Sequence, residues 1–258
     1  MLNRITTTLI VAVFSFPASA LDISEYRLVD LGHSYGDDTL YWPTAPSRFE
    51  KTVISFGETE SGGFYSAFSI CTPEHGGTHL DAPMHFARDG LPTERIPLEN
   101  LIAPAAVIDV SDKAAANKNY LLSVDDVLLF EKQNGRIEPG TIILLRTDWS
   151  KYWPDAKAYM GEVSKLEFPS YGEDAARLLV EDRKVAILGV DTASTDFGTS
   201  EEFVVHRIAA ENNVSNLENL TNLDKLPQTG ALIIALPMKI EGGSGGPVRV
   251  VALVPRTP

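Results

Sequence analysis

The sequence predicts a single mixed α/β domain built around a central sheet. Apolar runs rich in β-branched residues recur along the chain, and in its second half they alternate with stretches of helical periodicity. In the first half the apolar runs follow one another more directly. The chain has 258 residues and no linker-like segment divides it, which suits one domain of the larger kind.

Eight apolar runs have the length and the flanking glycine or proline residues that are typical of strands. In chain order they cover residues 26–31, 52–56, 64–71, 105–110, 141–146, 185–190, 231–236 and 248–254. Phe64 and Phe68 share one face of the third run, and we expect both to pack in the core.

Three stretches between these runs have helical patterns, at 123–133, 170–184 and 202–212. The first begins with Ser123 and Asp126 in the spacing of a capping box and ends before Gly135. The Gly-Gly-Ser-Gly-Gly segment at 242–246 lies between two predicted strands. We expect a hairpin or crossing loop there, because the segment lacks the spacing and the following helix of a phosphate-binding loop.

The first twenty residues have the features of a cleaved secretory signal. Arg4 supplies a positive start, an apolar stretch too short to span a bilayer follows, and Ala-Ser-Ala at 18–20 is a small-residue cleavage site. We therefore expect a periplasmic or secreted mature chain that begins at residue 21. It gains no internal disulfide there, because Cys71 is the only cysteine, and we expect Cys71 to be a small buried hydrophobic residue.

The charge balance excludes two classes of partner. The formal net charge is -13, and the 22 lysines and arginines are scattered along the chain. A surface of this sign repels phosphate backbones and anionic lipids. We therefore expect neither nucleic acid nor a membrane surface as a partner.

Residues 75–85, HGGTHLDAPMH, concentrate metal-binding side chains. Two glycines and Pro83 disfavour a helix there, so the stretch is extended or turning. On a strand, His79 and Asp81 face the same side. A bend at Gly76 and Gly77, where positive φ angles cost little, is needed to bring His75 to the same ion.

This donor set has the chemistry of an open metal site. Two neutral imidazoles and a carboxylate suit zinc, manganese or iron and leave coordination positions free for water or substrate. His85 lies further along, beyond Pro83. It need not bind the ion and can transfer protons instead.

The fixed positions of this stretch resemble a family motif. His75-x-Gly77-Thr78-His79-x-Asp81-x-Pro83-x-His85 matches the motif of the cyclase family, which includes bacterial kynurenine formamidases and isatin hydrolases. The segments at 40–43, 145–149 and 206–227 also look typical of that family. The resemblance implies a β-rich core with outer helices, of the swivelling β/β/α type, and assembly into a homodimer or homotetramer.

The resemblance also implies roles for individual residues. His75, His79 and Asp81 would bind one divalent ion, zinc or manganese. His206 and Glu218 would contribute to a second ion or to the surroundings of the first, and His85 would be the acid/base. On the residues alone, His206 and Glu218 carry no signal, because they lie on a weakly patterned helix and the loop after it.

The reaction implied is hydrolysis of a carbon–nitrogen amide bond by a metal-activated water. An aryl formamide or a cyclic amide such as isatin would be the small-molecule substrate. Trp42, on a proline-rich loop, and Trp149 are candidates to stack on a flat substrate. The alternative is a periplasmic metal-binding or small-acid-binding protein without turnover, which has no obvious use for His85.

Overall fold

The structure is a computed structural model that describes residues 22–256. The predicted secretory signal, residues 1–20, lies outside the described residues. The strands are β1 (Tyr26–Asp30), β2 (Glu50–Glu58), β3 (Phe64–Cys71), β4 (His79–Asp81), β5 (Ile102–Asp109), β6 (Leu121–Leu122), β7 (Ile142–Arg146), β8 (Gly161–Glu162), β9 (Lys165–Leu166), β10 (Ser170–Tyr171), β11 (Ile187–Val190), β12 (Ser215–Glu218), β13 (Thr229–Pro237) and β14 (Gly245–Pro255). The α-helices are α1 (Leu98–Leu101), α2 (Ser111–Ala116), α3 (Val124–Asn134), α4 (Ala156–Met160), α5 (Glu173–Arg177) and α6 (Val204–Glu211). No helix among these residues is long and apolar enough to cross a bilayer.

Seven of the strands close into a mixed barrel. Their order is β14-β13-β5-β7-β11-β12-β4, and β4 pairs back onto β14. The pairs among β5, β7, β11 and β12 are parallel, whereas β4, β13 and β14 pair antiparallel to their neighbours. β1 adds to the C-terminal half of β14. The predicted single mixed α/β domain with a β-rich core is confirmed.

The parallel strands are apolar on both faces because both faces are covered. In β7, Ile142 and Leu144 belong to a core cluster with members on all seven barrel strands, which is the barrel interior. Ile143 and Leu145 belong to a second cluster, formed with residues of α3, α5 and α6 on the outside. A continuous apolar run is what a strand buried on both faces requires.

The predicted helices are present, with one shift in position. The capping box of α3 is formed by Ser123 and Asp126 as predicted. The stretch predicted as helical from residue 170 instead begins with β10, which pairs with β6. Gly172 is still extended because its N–H donates to the Leu122 carbonyl of β6 at 3.0 Å, and the helix begins at Glu173. Its last turn, Leu178–Asp182, is a π-helix.

The β2–β3 hairpin stands apart from the barrel, and its apolar face is uncovered. Phe56, Phe64 and Phe68 lie together on one face, with 68%, 60% and 40% of their surfaces exposed. The prediction that Phe64 and Phe68 pack in the core is wrong, as is the prediction that Cys71 is buried. Alternation along a strand reveals an apolar face but not whether the same chain covers it.

Candidate metal centre and substrate pocket

The bend predicted in the histidine-rich stretch is present. Gly76 and Gly77 have φ angles of 154° and 57°. A Cβ on Gly76 would lie 2.1 Å from the ring of Tyr41, and one on Gly77 would lie 2.7 Å from the ring of Tyr35. Both conformation and space therefore require glycine, and the turn brings His75 back beside the strand that follows.

β4 presents two donors from the closing strand of the barrel. Leu80 points into the interior core, so its neighbours His79 and Asp81 face the opposite side. β12 pairs antiparallel with β4 and places Glu218 directly opposite His79. Glu218 thus ends a strand, and does not lie on a loop as the sequence suggested.

All five side chains proposed as metal ligands converge. Asp81 Oδ1 lies 2.6 Å from His75 Nδ1 and 3.1 Å from His79 Nε2, while its Oδ2 lies 3.2 Å from His206 Nε2. Glu218 Oε1 is 3.1 Å from the same nitrogen of His206, and Glu218 Oε2 is 3.6 Å from His79 Nε2. Two groups of three donors share Asp81, each with its ligand atoms within 4.8 Å of one another: His75, His79 and Asp81, and Asp81, His206 and Glu218.

Outer contacts fix which ring nitrogens face the carboxylates. His79 Nδ1 donates to the Gly77 carbonyl at 3.0 Å, and His206 Nδ1 donates to Asp196 at 2.7 Å. Asp196 also accepts the backbone N–H groups of Val205 and His206 at the start of α6, which fixes the helix and the ring together. With Nδ1 engaged outward, the Nε2 atoms face the carboxylates of the cluster, where a bound ion would replace the protons between them.

The cluster favours positive charge. Burial lowers the pKa of His79, but the carboxylates of Asp81 and Glu218 outweigh burial and raise it to about 9. Burial likewise raises the pKa of Asp81, yet the surrounding imidazoles hold it well below its usual range. Buried carboxylates that stay ionised and hold protons on the neighbouring imidazoles suit a cation in place of those protons. The donor set therefore fits a divalent metal ion.

His85 lies beside the cluster without belonging to either donor group. It ends a short 3-10 turn, Pro83–His85, and stacks on the ring of His75 with centroids 3.8 Å apart. Burial lowers the pKa of His85 to about 4. Its imidazole is therefore neutral near pH 7 and able to accept a proton.

A cavity of about 410 Å³ opens onto the cluster. Its lining includes the five candidate ligands and His85. The rest of the wall is mostly apolar and aromatic, with Tyr41, Trp42, Pro46, Phe86, Met160 and Phe203 among its members. A pocket of this size and composition suits a small flat ligand.

The two tryptophans predicted to contact substrate have different positions. Trp42 lines the cavity and packs edge-on against Phe203. Trp149 does not line it: only 7% of Trp149 is exposed, and its indole N–H donates to the carbonyl of Tyr159 at 2.7 Å. Trp149 packs in the cluster beside the pocket, so the structure assigns it to support of the wall.

Several contacts could not be found in the sequence. Thr195 and Asp196 lie in a turn-rich segment without a motif. The backbone N–H of Thr195 donates to Glu218 at 2.9 Å. Asn219 accepts from the buried hydroxyl of Tyr159 and donates to the Gly77 carbonyl. These residues act through contacts between distant parts of the chain, for which spacing gives no signal.

The mixed barrel presents histidine and carboxylate donors to an aromatic cavity, an arrangement that fits a metal-dependent hydrolase. The chain belongs to the cyclase family, whose model, described as "Putative cyclase", matches residues 29–197. This match includes the whole histidine-rich stretch and stops short of His206 and Glu218.

Relatives with assigned activities cover almost the whole chain. The isatin hydrolase of Roseibium aggregatum is 34% identical over 247 residues, which are 90% of this chain and 93% of the relative. The kynurenine formamidase of Salinibacter ruber is 29% identical over 229 residues, 87% of this chain and 96% of the relative.

Solved structures agree with this assignment of the fold. An isatin hydrolase bound to the product analogue thioisatinate has a TM-score of 0.85 at 33% identity, with 90% of this chain and 94% of that chain covered. Isatin hydrolase A from Ralstonia solanacearum has a TM-score of 0.81 at 38% identity, with 90% and 93% covered.

Proposed function

We propose that this protein hydrolyses a carbon–nitrogen amide bond in a small flat substrate, an aryl formamide or a cyclic amide such as isatin. The observation that carries the proposal is the position of a neutral His85 in the wall of an aromatic cavity, stacked on a candidate metal ligand. Proton transfer, metal binding and substrate binding thus meet in one pocket. The isatin hydrolase and kynurenine formamidase relatives support this reaction type.

One or two zinc or manganese ions would bind at the two donor groups that share Asp81. A bound divalent ion supplies Lewis acidity toward a carbonyl oxygen and makes water acidic enough to react near neutral pH. The ion would be held by His75, His79, His206, Asp81 and Glu218. The contacts of Gly77 and Asp196 fix the orientations of the His79 and His206 rings.

His85 transfers the proton in this mechanism. Its neutral imidazole accepts a proton from the attacking water as the new carbon–oxygen bond forms. The same proton then passes to the departing nitrogen as the carbon–nitrogen bond breaks. A formamide gives formate and an aryl amine, and a cyclic amide gives one ring-opened product with a carboxylate and an amine.

Trp42 supplies a flat surface for the substrate. It is half-buried and held edge-on by Phe168 and Phe203, with ring centroids 6.3 and 6.1 Å away. Leu40 and Met160 add apolar surface to the wall of the cavity. This arrangement favours an aromatic ring over an aliphatic amide of the same size.

The test is hydrolysis by the metal-loaded protein of isatin and of N-formyl aryl amines, compared in wild type and Trp42→Ala. The proposal expects turnover by wild type and a higher KM in the variant, with less change in kcat. A protein that binds metal but leaves both substrate types intact would instead be a metal-binding or small-acid-binding module.

We further propose that the apolar face of the β2–β3 hairpin binds a second copy of this chain. A two-stranded hairpin alone is marginally stable in water, and this one exposes three phenylalanines with Val53 and Ile70 on the same face. The phenylalanines alone offer roughly 300 Å², a sizeable part of the 800 Å² or so that each partner in a standard interface buries.

The charges on this face are self-complementary. Lys51 lies near the base of the hairpin and Glu58 near its tip, both on the apolar face. When two such faces pack about a two-fold axis with their hairpins antiparallel, each lysine meets the glutamate of the other copy.

Export to the periplasm or the medium, predicted from residues 1–20, stays a prediction.

A further inference from the structure

The Gly-Gly-Ser-Gly-Gly segment packs directly against the metal centre. Residues 245 and 246 already belong to β14 and pair with Asp81 and Leu80 of β4. A Cβ on Gly245 would lie 2.6 Å from Cε1 of His75 and 2.6 Å from the Leu80 carbonyl. Glycine is therefore required here for close approach, and the segment forms one wall around the His75 ring.

Ser244 links His75 to Glu74. Its Oγ lies 2.9 Å from His75 Nε2 and 2.5 Å from Glu74 Oε2. The same carboxylate oxygen accepts the backbone N–H of Ser244 at 3.0 Å. Two donors from one residue thus converge on Glu74, which fixes the direction of the serine hydroxyl.

The direction of these hydrogen bonds selects one tautomer of His75. A carboxylate only accepts, so the Ser244 hydroxyl donates to Glu74 and its oxygen accepts from His75. The acceptor oxygen requires the proton on Nε2. Nδ1 donates to Asp81 Oδ1 at 2.6 Å, and an ion bound in the first donor group would take the place of that proton.

We propose that Ser244 and Glu74 are positioning residues that hold His75 as the Nε2–H tautomer, so that Nδ1 can bind the ion. The inference rests on the proposed metal site. Each of the three cluster imidazoles then has its own outer acceptor, because Gly77 and Asp196 already serve His79 and His206. Such partners orient a ligand ring and raise metal affinity by 10–100-fold.

Another carboxylate anchors the same segment without touching His75, and it provides a matched control. Glu94 Oε2 accepts the backbone N–H of Gly242 at 3.1 Å. Thr93 Oγ1 also donates to the carbonyl of Gly243 at 2.9 Å. A variant at Glu94 therefore loosens the segment as a variant at Glu74 does, but leaves the hydrogen bonds of His75 intact.

The experiment measures Zn²⁺ affinity by competition with a chromophoric chelator in purified wild type, Ser244→Ala, Glu74→Gln and Glu94→Gln. We expect Ser244→Ala to bind Zn²⁺ about 10–100-fold more weakly than wild type and Glu74→Gln to be weakened several-fold. Glu94→Gln should match wild type. Thermal melting of all four proteins separates loss of folding from loss of affinity.

A second measurement reports the tautomer itself. Long-range ¹H–¹⁵N spectra distinguish the two neutral forms of imidazole, and the chain has only five histidines to assign. We expect His75 in zinc-bound wild type to carry its proton on Nε2. Without zinc, we expect wild type to keep an Nε2–H and Ser244→Ala to lose it, because only the Nδ1–H bond to Asp81 then remains. A purely structural role for Ser244 would not change this signature.

The outcomes separate this proposal from the metal site on which it rests. Wild-type Zn²⁺ affinity in Ser244→Ala, or an Nδ1–H proton on His75 in the zinc-bound wild type, overturns the positioning role and leaves the site standing. Equal weakening in Glu74→Gln and Glu94→Gln also overturns it, because the segment alone would then matter. If wild type binds no Zn²⁺, the site itself fails and the positioning role fails with it.

Discussion

The imidazole of His85 stacks on that of His75, with ring centroids 3.8 Å apart and planes inclined by 19°. One ring faces Asp81 as a candidate ligand, and the other is a neutral base in the wall of the pocket. The contact places a proton acceptor beside the metal centre without making it a ligand. Metal binding and proton transfer are therefore predicted to be separable by mutation.

Replacement of His79 should remove metal and activity together. His79 faces both Asp81 and Glu218. His79→Ala therefore removes a donor from the first group and leaves the negative charge of two buried carboxylates less well balanced. We expect metal content to fall and amide hydrolysis to be lost, as measured by elemental analysis and steady-state rates on one preparation.

The control for His79 is His33→Ala. Among the described residues, His33 is the one histidine that does not line the cavity at the cluster. It stacks on Trp153, with ring centroids 4.2 Å apart. This variant should keep both metal and activity. Retention of full activity in His79→Ala would contradict the assignment of the cluster.

Replacement of His85 should separate the two properties. Because His85 belongs to neither donor group, His85→Ala should keep its metal while the rate of hydrolysis falls by about 100-fold or more, as expected when a general acid/base is lost. Metal content and kcat report this directly. An unchanged kcat would exclude a proton-transfer role for this residue.

The part of the centre contributed by residues 75–81 could be predicted from the sequence because its donors are neighbours. His75, His79 and Asp81 lie within seven positions, and two glycines announce the bend. Five of the seven barrel strands, β5, β7, β11, β13 and β14, were predictable for a related reason, since an apolar run such as that of β7 indicates burial on both faces, whereas β12 was not predicted. Local patterns suffice wherever the residues that interact are close in the chain.

The other contacts of the centre could not be predicted, because they form only when the barrel closes. Ser244 meets His75 across 169 positions, and Asp81 meets His206 across 125. No spacing rule joins such residues. The pairing of β4 with β14 brings Ser244 to His75, and helix α6 carries His206 to Asp81. The burial of Trp149 and the exposure of Phe64 could not be predicted either, because the identity of an apolar residue does not show what packs against it.

Asp191 should make stability depend on pH. Its buried carboxyl accepts from the backbone N–H and the hydroxyl of Thr147, and burial raises its pKa to about 7. The folded chain thus binds this proton more tightly than the unfolded chain, whose carboxyl has a pKa near 3.8. The contribution to stability is full below that value and is lost as pH rises through about 7.

The variant Asp191→Asn keeps an acceptor for Thr147 and cannot ionise. We expect its melting temperature to exceed that of wild type at pH 8, by roughly 2–4 °C for each kcal/mol relieved, and the difference to shrink toward pH 4. Melting curves across this range provide the check. A difference that grows as pH falls would have the wrong sign.

The hairpin should control self-association. We expect wild type to sediment as a dimer and Phe56→Ser to shift toward monomer, because the substitution removes the most exposed phenylalanine of the apolar face. Thr52→Ala, on the opposite face of the same hairpin, is the matched control and should stay dimeric.

Charge reversal tests the geometry of this interface. Lys51→Glu alone should weaken the dimer, and the double variant with Glu58→Lys should restore it. A wild-type chain that is monomeric at all concentrations, or a Phe56→Ser variant that behaves as Thr52→Ala does, would rule out this surface as the interface.

The central claim is that a divalent ion held by the Asp81-centred cluster is required for hydrolysis of a carbon–nitrogen amide bond. The most direct test is the rate of hydrolysis of isatin and of N-formyl aryl amines by one preparation before chelation, after chelation and after return of Zn²⁺ or Mn²⁺. The structure predicts loss of activity with the metal and recovery when it is returned. Full activity in the metal-free protein would contradict it.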